Sequence, residues 1–391
     1  MKILIVCQYY YPENFVITKI AEQLVVLGHE VDVLTGKPNY GYGYIIPEYK
    51  DINEEYINNV HVFRVNVYPR KENRLSIVKN YLSFWKNSKK WVRKQDKKYD
   101  VVYSMSLSPV TICSAGNLYK KINNVKHVIH CVDLWPESTI VTHAVKKNSL
   151  IYKILYKWSK EIYSKADKIL VGSPSFVDYF HDVLKLPIDD MPYVPQCSLI
   201  EESEPPYHEY GEGTHILYCG NLGLIQLIPE IVEAMKIIDD KSIYFHIIGM
   251  GPMSEYLTNE IEKSGLKDNL IYHGPIIAKE AAKYFVNADA LYVSLKSDGI
   301  VGKTIPNKLI MSMAFSKPII AMLQGDGKDV LMESEGALFA EENAESLVQA
   351  IKKLVKMSKE EKDSLGKKNR LYFENHFSID IVAKLIESHL K

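Results

Sequence analysis

Residues 298–320 read DGIVGKTIPNKLIMSMAFSKPII: a loop rich in glycine and lysine, a proline, a helix-like run and an apolar strand. Pro306 suits the first turn of a helix reaching to about residue 315. The free N–H groups and positive dipole end of such a turn favour an anion. Lys303 and Lys308 flank it, with Thr304 and Ile305 between. A diphosphate is the natural guest; lysines that are merely solvated are the alternative.

The loop–helix–strand unit repeats outward. Before it, strands are expected at 214–220, 242–249, 269–275 and 289–295, and after it at 318–323 and 336–340. Helices fit 227–239, 252–264, 277–287 and 343–357 between them. The first half shows the same alternation, with strands at 2–9, 29–35, 61–66, 99–105, 126–134, 166–173 and 191–195 and a helix at 14–27 that stops at Gly28. Near-continuous apolar strands separated by helices imply parallel sheets covered on both faces. LIEESEPPYHEYGEG at 199–213 breaks the pattern and reads as a linker. The fold class is therefore α/β, two doubly wound Rossmann-like lobes with an interlobe cleft. The lobes are expected at 1–198 and 214–373, with a C-terminal helix at 374–391 returning to the first. In such sheets ligands bind beyond the carboxyl ends of the strands.

A chain of 391 residues suits two domains, and 47% hydrophobic with 25% charged residues argues against disorder. Five scattered cysteines, with no C-x-x-C pair, suggest a reducing cytoplasm. MKILIVCQYYYPE has no cleavage region and reads as a first strand, and no apolar run of 18 residues is available to span a membrane. Net charge is zero, but residues 1–200 hold 27 Lys and Arg against 19 Asp and Glu. Residues 70–98 alone hold 11 basic and 2 acidic residues, with Leu75, Val78, Leu82 and Trp85 spaced by three or four. A basic aromatic helix of this kind suits an anionic membrane surface; a core-packed helix with a charged outer face is compatible. No nucleic-acid motif accompanies the charge.

The first β–α turn, QYYYPENF, lacks G-x-G-x-x-G, which disfavours a dehydrogenase. KHVIHCVDLWPES ends a strand at Asp133, whose carboxylate either points to a site or caps the Pro136 turn; His130 lies within the strand and reads as core. Three strand-to-glycine loops follow in the second half. YCGNLGLIQ carries Gly220, Asn221 and Gln226, IIGMGPM carries Gly249 and Gly251, and YHGPI carries Gly274, Pro275 and Ile276. Such loops hold phosphate on backbone N–H groups or let a flat ligand approach, although a tight turn alone accounts for a lone G-x-G.

QYYYPEN, LGHEVDVLTGKPNYGYG, VDLWPES, ADKILVGS, YCGNLGLIQ, IIGMGP and PNKLIMSMAFSKPII resemble, in order, the retaining nucleotide-sugar transferases of glycosyltransferase family 4. They are similar above all to the bacterial N-acetyl-fucosamine transferases of capsule and O-antigen assembly. The resemblance covers nearly the whole chain. It implies a GT-B fold, a nucleotide-sugar donor (UDP preferred) on the second lobe, and a polyprenyl-diphosphate-linked saccharide acceptor on the first. It also implies work without metal or cofactor, peripheral on the inner face of the cytoplasmic membrane. Its motifs place acceptor contacts at Tyr11, Glu13, Asn14, Asn39, Tyr40 and Glu137, and donor contacts along the three glycine loops and the 303–311 segment. Departures are visible. Lys303 and Met311 stand where the family often carries two Glu, the second of which binds ribose. Asn221 and Gln226 replace an Arg and a Lys, and Val132 replaces a catalytic His, leaving Asp133 as the neighbouring polar candidate. By resemblance, Asp133 and Lys303 are the candidate catalytic residues of a hexosyltransferase. A catalytically impaired nucleotide-sugar-binding partner of another transferase, and a UDP-sugar epimerase on the same fold, stay open.

Overall fold

The computed structural model describes residues 1–71, 73–141, 143–186, 190–198 and 210–391, without the side chains of 278 and 279. Most of the expected linker at 199–213 lies outside the described residues. The chain divides into two compact units, Met1–Leu199 with Ile379–Lys391, and Ile200–Ser378.

The first unit is built on β1 (Lys2–Val6), β2 (Glu30–Gly36), β3 (Glu54–Ile57), β4 (Val60–Val65), β5 (Val101–Ser106), β6 (Lys126–Cys131) and β7 (Lys168–Val171). Their order is β3-β4-β2-β1-β5-β6-β7, parallel throughout except for the β3–β4 hairpin. Alternation along β1 explains why both faces are apolar. Ile3 and Ile5 enter one core with Val31, Val33 and Val101, while Leu4 and Val6 enter the other with Leu34, Val102 and Tyr119. The C-terminal helix Ile379–Leu390 adds Val382, Ile386 and Leu390 to the first core. Gln23 donates to Asp380 at 2.8 Å and His29 meets Glu387 at 3.1 Å, which fixes its register against the Val16–Val26 helix.

The second unit holds β8 (Thr214–Cys219), β9 (Ile243–Ile248), β10 (Leu270–Gly274), β11 (Ala290–Ser294), β12 (Ile319–Met322) and β13 (Ala337–Phe339), ordered β10-β9-β8-β11-β12-β13 and all parallel. Tyr218, Phe245 and Ile247 face one core, and Leu217, Ile248, Leu291 and Val293 the other.

Three elements differ from the sequence expectation. The stretch expected as a strand at 191–195 makes only a Val171–Tyr193 bridge. Pro192 and Pro195 have no N–H to donate, so the ladder stops there. The β3–β4 hairpin was not expected, although Asn58 and Asn59 supply the two positive-φ turn residues it needs. Helix Lys359–His376 buries only Gly366, Asn369 and Phe373, so it shows no apolar stripe. Its Ser358–Glu361 capping box sets its start.

Candidate active site

In the C-terminal unit the loops that leave β8, β9 and β10 are stitched into one platform. Gly249 N–H donates to the Gly274 carbonyl at 2.9 Å, Gly220 N–H to Ile248 at 2.9 Å, and Leu222 N–H to Met250 at 3.0 Å. A Cβ on Gly249, whose φ is +139°, would lie 1.8 Å from the Gly220 carbonyl oxygen. A Cβ on Gly251 would lie 2.4 Å from that of Leu222. Only glycine lets these chains cross this closely. Tyr272 and Ser254 brace the platform, the Tyr272 hydroxyl donating to Gly249 at 3.0 Å and Ser254 Oγ accepting from Gly251 at 2.9 Å. Pro275 is exposed and Ile276 partly buried against the core behind.

Lys308 reaches this platform from the helix Asn307–Met313, which Pro306 precedes. A Cβ on Gly220 would meet the Lys308 Cε at 2.4 Å, so the glycine makes room for the lysine stem. Lys308 Nζ donates to the Tyr218 hydroxyl and, at 3.0 Å, to the Asn221 carbonyl, and it lies 4.5 Å from the centre of the Tyr218 ring. Burial pulls its pKa down to about 7, and only the nearby Cys219 thiol opposes this. The cation is held beside neutral acceptors, ready for an anion that would restore its charge. Gln226 Oε1 is buried with no hydrogen-bond partner among the described residues, and a Cβ on Gly223 would meet it at 2.3 Å.

The remaining expected donor residues lie apart from Lys308 in character. Lys303 is exposed, and its backbone packs on Gly325, where an added Cβ would stand 2.7 Å from the Lys303 carbonyl. Thr304 Oγ donates to the Val301 carbonyl at 3.0 Å. Ile305 and Met311 are buried in the apolar cluster with Leu309 and Phe315. Met311 is thus core, and at this position the structure offers no polar contact for a ribose.

In the N-terminal unit Asp133 follows β6 and is half-buried. Burial holds its carboxyl above the usual range, against the Ser108 and Ser138 hydroxyls and the Leu134 N–H that hydrogen-bond to it. Ser108 Oγ in turn meets Ser138 Oγ at 2.9 Å. Asp133 is therefore oriented by two hydroxyls from separate segments, Ser108 after β5 and Ser138 in the helix Glu137–Val141. His130 is core, bonded to the Tyr103 hydroxyl and the Val194 carbonyl at 2.8 Å, and burial lowers its pKa to about 4.

The expected acceptor residues fall into two kinds. Glu13 is buried and accepts from Asn39 N–H at 2.7 Å and Tyr40 N–H at 2.5 Å, so it clamps the loop after β1 to the loop after β2. Asn39 accepts from Arg70 N–H at 2.9 Å and Asn80 at 3.0 Å. Glu137 is buried and accepts from the Tyr152 hydroxyl at 2.6 Å. These three position the loops, whereas Tyr11, Asn14 and Tyr40 are exposed and available to a ligand. Arg70, beside Asn39 and Tyr40, was not singled out in the sequence. It donates to the Tyr9 hydroxyl at 3.1 Å and the Tyr81 hydroxyl at 2.5 Å, and stacks 5.2 Å from the Tyr40 ring. Its only signal in the sequence was membership of the basic 70–98 run. Among the described residues no group of His, Cys, Asp and Glu gathers as metal ligands would.

Two parallel Rossmann-like units, with a glycine platform and lysine in one and an oriented carboxylate in the other, define a GT-B glycosyltransferase fold. The "Glycosyltransferase Family 4" domain family matches residues 14–196 and the "Glycosyl transferases group 1" domain family matches 213–357. The two matches together support a glycosyltransferase of the family 4, GT-B kind. It is 25% identical over 236 residues to the probable glycosyltransferase WbjE of Pseudomonas aeruginosa; the match spans 58% of each protein, under two thirds of the relative's length. Among solved structures it resembles sucrose-phosphate synthase of Thermosynechococcus elongatus, at a TM-score of 0.75 with 17% identity over 99% of this chain and 98% of that one. It also resembles Anabaena HepE in complex with UDP and glucose (TM-score 0.71, 11% identity, 100% and 99% covered) and WaaG, a glycosyltransferase of lipopolysaccharide biosynthesis (0.68, 12%, 100% and 100%).

Proposed function

We propose that this enzyme moves a sugar, an N-acetylated amino sugar by the sequence resemblance, from UDP onto a lipid-linked saccharide in capsule, O-antigen or exopolysaccharide synthesis. Transfer proceeds with retention and without a metal, at the inner face of the cytoplasmic membrane. The observation that carries the donor side is Lys308, drawn over the Gly220 loop beside neutral acceptors only. Diphosphate leaving is the step that builds negative charge, and an ammonium whose position is already fixed stabilises that charge without reorganisation. The UDP complex of the structurally similar HepE supports the choice of nucleotide. Asp133, held by Ser108 and Ser138, orients the acceptor or the sugar hydroxyls. The acceptor proton passes to a phosphate oxygen of the donor, so no enzyme nucleophile is required.

Mass spectrometry with a panel of UDP-sugars and a polyprenyl-diphosphate-linked saccharide tests this. The expected product is the acceptor heavier by one sugar, with the donor's anomeric configuration kept by NMR. Conversion of the donor with no acceptor present favours an epimerase instead. The core position of Met311 motivates one other reading, a nucleotide-sugar-binding partner of another transferase; UDP binding with no turnover across the panel favours it.

A further inference from the structure

The helix Arg74–Lys94 inverts the usual polarity of a packed helix. Its buried face carries Ser76, Asn80, Phe84, Ser88 and Val92. Three of these five are polar and are satisfied locally, Asn80 by the Tyr68 carbonyl at 2.6 Å and Ser88 by the Phe84 carbonyl at 2.7 Å. The apolar residues point outward instead. Leu75, Val78 and Leu82 are 45% to 64% exposed. The helix Leu150–Tyr163 does the same with Leu150, Ile151 and Ile154, which are 55% to 74% exposed. The two stripes converge. Leu75, Val78, Leu82 and Trp85 on one helix, and Ile151, Ile154 and Trp158 on the other, step by three or four residues to a tryptophan, and the two indoles meet edge-on at 5.6 Å. Single exposed leucines are ordinary; two aligned stripes meeting at a tryptophan pair form a surface that a partner covers.

Charge identifies the partner. Arg74–Lys94 contains seven basic residues and no acidic one, and Leu150–Tyr163 has three lysines and Glu161. Lys79, Lys86, Lys90, Lys153 and Lys157 are exposed around the stripes. Next to the indole pair lies a recess of about 730 Å³ walled by Trp85, Trp158, Lys89, Lys120, Lys121 and Lys165. Glu161 on the same wall is paired to Lys165, and Lys120 is paired to Asp167, which among the described residues leaves Lys89 and Lys121 as its uncompensated cations. Lys89 sits 4.4 Å from the centre of the Trp85 ring, where burial lowers its pKa. Apolar side chains that insert shallowly, indoles at the boundary and lysines at headgroup level are what an anionic bilayer selects. Among the described residues no helix is long and apolar enough to cross a membrane.

We propose that the outer faces of Arg74–Lys94 and Leu150–Tyr163 together dock this protein onto an anionic lipid bilayer, with lipid phosphate entering the lysine recess. Orientation follows from connectivity. Arg74–Lys94 follows β4 and Leu150–Tyr163 precedes β7, so both helices begin beyond the carboxyl ends of the strands, the end where Asp133 and Arg70 lie. The stripes start in those first turns and run to Trp85 and Trp158, and the recess lies further along, towards the amino ends of the strands. The leading end of the docking face therefore adjoins the exposed Tyr11 and Tyr40 end of the N-terminal unit, whatever acceptor the enzyme uses.

The test is co-sedimentation of the full chain with vesicles of phosphatidylcholine alone and of an equal mixture with phosphatidylglycerol. Wild type should bind the mixed vesicles, bind the neutral ones far less, and release in high salt. V78E/L82E and I151E/I154E should each weaken binding by roughly tenfold or more, and neither should lower the melting temperature, because all four side chains are exposed. The tryptophan emission of wild type should shift to the blue on mixed vesicles. No binding to mixed vesicles, or equal binding by wild type and both variants, overturns the proposal. So does a wild-type dimer that either variant dissociates while vesicle binding stays unchanged, since the face would then be a contact between copies. Free inorganic phosphate competing as well as vesicles do would reassign the recess to a soluble anion and equally overturn it.

Discussion

Raising the pH from 6 to about 8.5 should weaken UDP binding by about 30-fold, or about 2 kcal/mol, through Lys308 alone. The lysine sits on Tyr218 and Asn221 with a pKa near 7 in the free protein. A diphosphate beside it raises that value toward the ordinary 10.5, so binding takes up a proton. The sign follows. A group whose pKa rises on binding gives its full contribution below the lower, free value and loses it as pH climbs past that value. At pH 8 about nine-tenths of the free lysine is neutral, and each UDP bound should take up close to one proton. Isothermal titration calorimetry in two buffers of different ionisation enthalpy reads that number directly. Lys308→Met should bind more weakly at every pH, and its pH slope should retain only the nucleotide's own ionisation, which both proteins share. Equal slopes for wild type and K308M, or no proton uptake by wild type at pH 8, would refute the placement of the diphosphate on this lysine.

Other consequences are sharper than they are large. Gly249→Ala forces a Cβ into the Gly220 carbonyl at positive φ, and should cost roughly 3 kcal/mol or more of stability in the C-terminal unit by urea unfolding; a loss under 1 kcal/mol would show that the platform yields. Asp133→Asn should cut turnover by about 100-fold or more while UDP affinity stays within about twofold, since the residue belongs to the unit without the lysine; near-normal turnover removes Asp133 from the mechanism. His127 and His130, with pKa values near 3 and 4, should stay neutral at pH 5 by ring NMR. Their folded values lie below the ordinary 6.5, so the stability they confer is whole above 6.5 and drains as pH falls, about 2 kcal/mol each by pH 5. Titration of either ring near 6.5 contradicts that burial.

The alternation of apolar runs was enough to reach two parallel sheets, because β1, β2, β8 and β9 are buried on both faces and keep no polar register. The prolines around Tyr193 stopped a strand that propensity alone favoured, and the Asn58–Asn59 turn announced a hairpin that the helix–strand rhythm concealed. In the site, glycine positions were legible as loops, but their crossing distance was not, since close approach of Gly249 to Gly220 is a property of two strands placed side by side. Glu13 and Glu137 were expected at the acceptor by resemblance; their burial and their bonds to Asn39, Tyr40 and Tyr152 could not be read from sequence. Arg70 could not be separated from ten other basic residues until the fold laid Tyr9, Tyr40 and Tyr81 around it. The stripe on Arg74–Lys94 was visible as a period, and its direction was not: Ser76, Asn80 and Ser88 took the inner face because their hydrogen bonds were met there.

A structure of the protein with UDP measures the central claim most directly. Diphosphate oxygens should stand about 3 Å from Lys308 Nζ and from N–H groups of the loop after β8, with the Lys308 contact to Asn221 exchanged for phosphate. UDP seated elsewhere, with Lys308 still resting on Tyr218 and Asn221, would contradict it.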